Sequence, residues 1–110
     1  MFEKWYKRLY RRNFRDTHIA DWDDKFLSEY DVERIMDTVT LSRGTAVTVF
    51  ANSHTGLNYW PSKVGRMHRR FWGRDLLKEL IDAGHKRSLD IIVYYCTIYT
   101  DWYYDNHPEC

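Results

Sequence analysis

The side chains able to do chemistry fall at three points, each at or just beyond a stretch suited to a buried strand. Asp21 and Trp22 come first, then Asn52, Ser53 and His54, and last Thr97, Tyr99 and Asp101. His54 stands out among them. A neutral imidazole offers one donor and one acceptor, which suits a pair of sugar hydroxyls, although a loop histidine can equally cap backbone groups. Tyr59 and Trp60 follow closely; large rings with polar edges either stack on a pyranose or pin a loop to the body of the protein. Asp21 and Asp23 invite comparison with the carboxylate pair of a glycosidase, but those groups face each other across a cleft. Two residues apart on one turn, they read as capping or solvent-exposed groups. His18, His54 and His107 have no recognised metal-ligand spacing, so no metal and no cofactor is expected. His68, Arg69 and Arg70 form a basic step that reads as solvated surface.

These residues need elements to hold them, and the hydrophobic pattern supplies a set. Phe2, Trp5, Tyr6 and Leu9 recur at helical spacing and predict a helix over residues 1–13. A short strand centred on Ile19 is expected next, over 15–21. Asp31 is a good N-cap for a second helix, followed by Val32, Ile35, Met36 and Val39 on one stripe. Gly44 ends that unit, because glycine accepts the left-handed geometry found after helices. Residues 46–51 form an apolar run rich in β-branched residues, which fits a parallel strand covered on both faces. A loop of about twenty residues, from Asn52 to Gly73, separates it from a third helix with Leu76, Leu77, Leu80 and Ile81 inward. Leu89 to Cys96 reads as the third strand, with Cys96 packing as a small hydrophobe.

Strands alternating with amphipathic helices imply βαβ units and a parallel sheet. An open three-stranded α/β domain and the first part of a barrel both fit that order. Composition narrows the class. With 44% hydrophobic and 30% charged residues in 110, the chain reads as one folded domain. A net charge of +1 gives no argument for a polyanionic partner. Lys4, Lys7, Arg8, Arg11, Arg12 and Arg15 crowd the first stretch, as in helices that meet membranes or nucleic acid. Packing of its aromatic face is the favoured role, so neither partner is expected. No run approaches the roughly 18 apolar residues of a membrane span, and the charged start lacks a signal-peptide core, which makes a cytoplasmic location the default.

A resemblance bears on the choice between domain and barrel. Val47 to Gly65, with its His-containing turn, Tyr59-Trp60 and Pro61-Ser62-Lys63-Val64-Gly65, resembles a stretch of a glycosyl hydrolase group with a (β/α)₈ barrel. Arg74 to Ala83 resembles the next helix of that group and of the more distant α-L-fucosidases, and Leu89 to Cys96, with Tyr94-Tyr95, resembles their third strand. Where fucosidases of this type carry His-His-Asp-Gly, this chain has Ser53-His54-Thr55-Gly56, so His54 and Gly56 carry over.

The resemblance implies an α/β fold, the N-terminal portion of a (β/α)₈ barrel. Residues 14–110 would supply three incomplete strand–helix units after an N-terminal helix. A whole barrel takes about 250 residues. It implies a fragment of a carbohydrate-active glycoside hydrolase, inactive alone, whose catalytic carboxylates lie outside this sequence. His54, Tyr59, Trp60, Asp21, Trp22 and Tyr99 would form part of a sugar-binding wall. A non-catalytic sugar-binding or protein-interaction domain, or an inactive truncated product, is the alternative. The partner expected on the leading reading is a carbohydrate, and self-association through the uncovered sheet is expected as well.

Overall fold

A computed structural model describes residues 4–98 and 100–109. Three strands, β1 (Arg12–Phe14), β2 (Ala46–Phe50) and β5 (Asp90–Tyr94), form a parallel sheet in the order β1-β2-β5. The parallel sheet implied by the alternating strands and helices is therefore found, with β2 at its centre. Two short strands, β3 (Leu57–Asn58) and β4 (Arg66–Met67), pair inside the long loop. The helices are α1 (Val32–Leu41), α2 (Leu76–Lys86) and α3 (Asp101–Asn106).

Both long helices start where the capping residues put them. The Asp31 carboxylate accepts the Arg34 amide at 3.0 Å, and Asp75 accepts that of Lys78 at 2.9 Å. Each satisfies a donor that the first helical turn leaves unpaired. Val32, Met36 and Val39 of α1 meet Leu76, Leu80 and Ala83 of α2 over Val47 and Val49 of β2. Gly84 makes the closest approach: a Cβ there would lie 2.3 Å from Cδ1 of Ile91 on β5. Arg87 clamps the helix pair, reaching the Glu33 and Asp37 carboxylates of α1 at 2.6 and 2.9 Å.

The start of the chain departs from expectation. In place of a helix over 1–13, Trp5–Arg8 form one 3₁₀ turn and the chain then enters β1; residues 1–3 lie outside the described residues. Of the described residues of the apolar stripe, Leu9 is buried, while Trp5 and Tyr6 stay about half exposed. The Arg12 guanidinium donates to the carbonyls of Leu9 and Tyr6, at 2.7 and 3.2 Å, groups a continuing helix would use for itself. The first strand thus lies at 12–14 rather than 15–21. Beyond it, Arg15 still donates to Thr48 O at 3.1 Å, and then the Thr17 carbonyl is taken by a side chain, so the ladder ends.

Gly44 closes α1, but not for the expected reason. The left-handed residue is Arg43, with φ 57°, whereas a Cβ on Gly44 would sit 2.9 Å from Cγ1 of Val39.

The opposite sheet face carries Phe14, Thr48, Phe50, Ile92 and Tyr94, placed together by strand register and alternation. Phe50 stacks on Tyr94 with centroids 4.4 Å apart, and Phe14 meets Phe50 edge-on at 5.4 Å. Phe14 remains 59% exposed.

Candidate functional site

The carboxyl ends of the three parallel strands come together, and side chains rather than ladder bonds join them. Just past β2, the Asn52 amide donates to Cys96 O at 3.1 Å and accepts the Cys96 N–H at 2.7 Å. This buried pair imitates one more rung between β2 and β5. Ser53 N–H donates to Leu57 O at 3.1 Å and Gly56 N–H to Ser53 O at 2.9 Å, closing a tight turn. The Ser53 and Thr55 hydroxyls are also hydrogen-bonded. The turn holds Ser53 buried and leaves His54 exposed at its tip.

His18, from the segment after β1, meets this turn. Its Nδ1 accepts the His54 backbone N–H at 3.0 Å, which places the ring proton of neutral His18 on Nε2. The two imidazoles lie edge to face at 4.7 Å, and His18 packs on Phe50 at 4.7 Å and Tyr94 at 5.8 Å. Two imidazoles with free polar edges therefore stand over an aromatic floor, at the strand ends where parallel α/β proteins build their sites. Sequence reading placed His54 just past a strand and weighed His18 with His54 and His107 as metal ligands. No spacing signal links residues 36 apart.

The remaining candidates are dispersed. Tyr59 is 1% exposed, its hydroxyl donates to Thr17 O, and its ring stacks on His68 at 5.7 Å. Burial pushes the phenol far above its ordinary pKa. It pins the long loop to the core and has no free face for a ligand. Trp60 is half-buried, with its ring 6.2 Å from that of Tyr95. Trp22 is 73% exposed and leans on Phe26.

Asp21 is neither solvent-exposed nor an α-helix cap. It is buried, with Arg66 donating to one oxygen at 2.6 Å and the Arg69 amide to the other at 3.1 Å. A buried carboxylate costs several kcal/mol unless so paired, and these partners tie it to the long loop rather than to His54. Tyr99 lies outside the described residues.

Of the basic step, Arg69 and Arg70 are exposed as expected, but His68 is not. His68 is 1% exposed; its Nε2 donates to Ala20 O at 3.0 Å and its Nδ1 accepts the Arg70 amide at 3.2 Å. Burial lowers its pKa. Arg69 and Arg70 both reach Asp24, at its carboxylate (3.0 Å) and its carbonyl (2.6 Å). The long loop is thus clasped to residues 17–24 along its length. Complementary charge, Asp21 and Asp24 against Arg66, Arg69 and Arg70, was the only sequence signal for it.

Among the described residues, no three His, Cys, Asp or Glu side chains gather as metal ligands, and no helix is long and apolar enough to cross a membrane.

Taken together, these features define a parallel α/β unit with a histidine pair at its strand ends. No family model and no curated protein matches the chain. Among solved structures it is similar to the alpha-L-fucosidase isoenzyme 2 from Paenibacillus thiaminolyticus. The TM-score is 0.81 at 24% identity, over 91% of this chain and 15% of that one. The likeness is one of fold, and this chain spans about a seventh of that protein's length.

Proposed function

We propose that this chain is the first portion of a (β/α)₈-barrel glycoside hydrolase of fucosidase type and supplies part of the wall that binds the sugar. The observation that carries the reading is the His18–His54 pair, 4.7 Å apart at the carboxyl ends of a parallel sheet. The fold likeness to an α-L-fucosidase supports it, and so does the exposure of Phe14 on the second sheet face, which further strand–helix units of a barrel would enclose. His18 Nε2–H donates to one sugar hydroxyl, and the exposed His54 ring serves as donor or acceptor to its neighbour. Trp60 and Trp22 are the rings left able to stack. Asp21 serves the fold, and by the resemblance to fucosidases the catalytic carboxylates are assigned to strands beyond these residues, so the 110-residue chain is expected to turn over no aryl glycoside.

Calorimetry with L-fucose tests this reading. His54→Ala is expected to weaken binding by about 1–3 kcal/mol, the cost of losing a polar partner. Its melting temperature should barely change, because the ring is exposed while its backbone bonds persist. Unchanged affinity with a large loss of stability would make His54 a structural residue.

A further inference from the structure

Between the chain leaving β1 and the first turns of α1 lies a groove of about 720 Å³ that shares no lining residue with the histidine pair. Arg15, Lys25, Tyr30 and Arg34 supply its polar side, and Leu27 and Ile35 its apolar side. The volume is in the usual range for a small-molecule site. Its three cations have no counter-ions. Four other arginines, Arg66, Arg69, Arg74 and Arg87, each meet a carboxylate. Among the described residues, no carboxylate lies within ion-pair distance of Arg15, Lys25 or Arg34.

Arg15 is the sharpest case. Its main-chain amide is spent on Thr48 O, and its Nε is sealed from solvent without an acceptor among the described residues. A buried charged donor left unpaired costs free energy that an incoming oxygen would recover. Glu29 and Asp31 also border the groove, but Asp31 is engaged as the cap of α1 and the three cations outnumber the two carboxylates. The positive end of the α1 dipole adds to that balance. Burial pushes the Tyr30 phenol up to about 12 against the lowering effect of Arg15, so its hydroxyl stays protonated and able to donate.

We infer that this groove binds the phosphate group of a small phosphorylated molecule, with the Arg15 and Arg34 guanidinium groups on its oxygens and Lys25 as a further charge. Leu27 and Ile35 take the organic body to which the phosphate is esterified. None of these residues enters the sugar reading, so each proposal stands or falls alone.

Amide NMR titration of the 110-residue chain with inorganic phosphate and with phenyl phosphate, at fixed ionic strength, tests it. Both are expected to give saturable shifts at Arg15, Lys25 and Arg34, with phenyl phosphate the tighter. Arg34→Gln, at an exposed position, should weaken both about tenfold, the effect of losing one charge-assisted bond. Lys63→Gln, exposed and outside the lining, should change neither. Arg15→Met keeps the apolar stem and removes the unpaired donor. Without ligand it should melt no lower than the wild type, and phosphate should raise the melting temperature of the wild type but not of this variant. Wild-type shifts that Arg15→Met and Arg34→Gln leave intact, or that chloride reproduces, would overturn the site. Equal affinity for the two phosphates would overturn the organic body and leave a site for free phosphate. Shifts with a hexaglutamate peptide, and none with either phosphate, would overturn the proposal in favour of an acidic protein segment.

Discussion

Histidines 18, 54 and 68 show how one residue type takes three roles according to its partners. His54 is exposed at a turn, His18 is oriented by the His54 amide, and His68 is sealed under the long loop. Of the three, only His54 was singled out from the sequence as a candidate site residue, because it follows a strand that announces itself. His68 reads as surface from its Arg neighbours, and nothing local reveals that Ala20 O awaits it. Its burial has a consequence for stability. The folded pKa lies below the ordinary 6.5, so the unfolded chain binds the proton more readily. The stabilisation is complete above about pH 6.5 and is lost progressively as pH falls toward the folded value. Asp21, Arg66 and Arg70 face the ring; the carboxylate opposes the downward shift and the two guanidinium groups add to it. Melting temperatures at pH 7.5 and 5.5 should therefore differ more in the wild type than in His68→Phe. An identical drop in both proteins would show that His68 is not the group responsible.

At the scale of elements, α1, α2 and the two longer strands were legible because each carries several turns or residues of one period. Asp31 fixed the start of α1 correctly, and Asp75 does the same work for α2 without having been read as a cap. What was not legible involves partners distant in sequence. The helical stripe of residues 2–9 is genuine, yet Arg12 diverts its carbonyls and leaves Trp5 and Tyr6 half exposed. The long loop reads as structureless because two-residue strands have no period, and its clasp to residues 17–24 depends on pairings some 45 residues apart. The contact of α3 with the His54 turn depends on Gly56 for two separate reasons, its positive φ and the nearness of Trp102. Gly56→Ala should cost on the order of 1–3 kcal/mol, the usual range for a strained left-handed residue. Hydrogen exchange should quicken at the 101–107 amides while β2 and β5 keep their protection. Uniform protection across both regions would show that α3 does not rely on this glycine.

For the whole molecule, the unequal treatment of the two sheet faces matters most. One face is closed by α1 and α2, and on the other Phe50 is buried under its neighbours while Phe14 stays largely open. Open apolar faces and strand edges favour association. Sedimentation of the 110-residue chain should show concentration-dependent self-association that Phe14→Glu suppresses; a monomer at all concentrations would mean this face tolerates water. The barrel reading and the sugar reading both depend on what happens at the carboxyl end of this sheet. The most direct measurement is an amide and imidazole NMR titration of the wild-type chain with L-fucose. The account predicts saturable shifts centred on His18, Asn52 and His54, including the His18 Nε2 resonance, and their loss in His54→Ala. Shifts confined to other surfaces, or none at millimolar sugar, would contradict the claim that this histidine pair binds a carbohydrate.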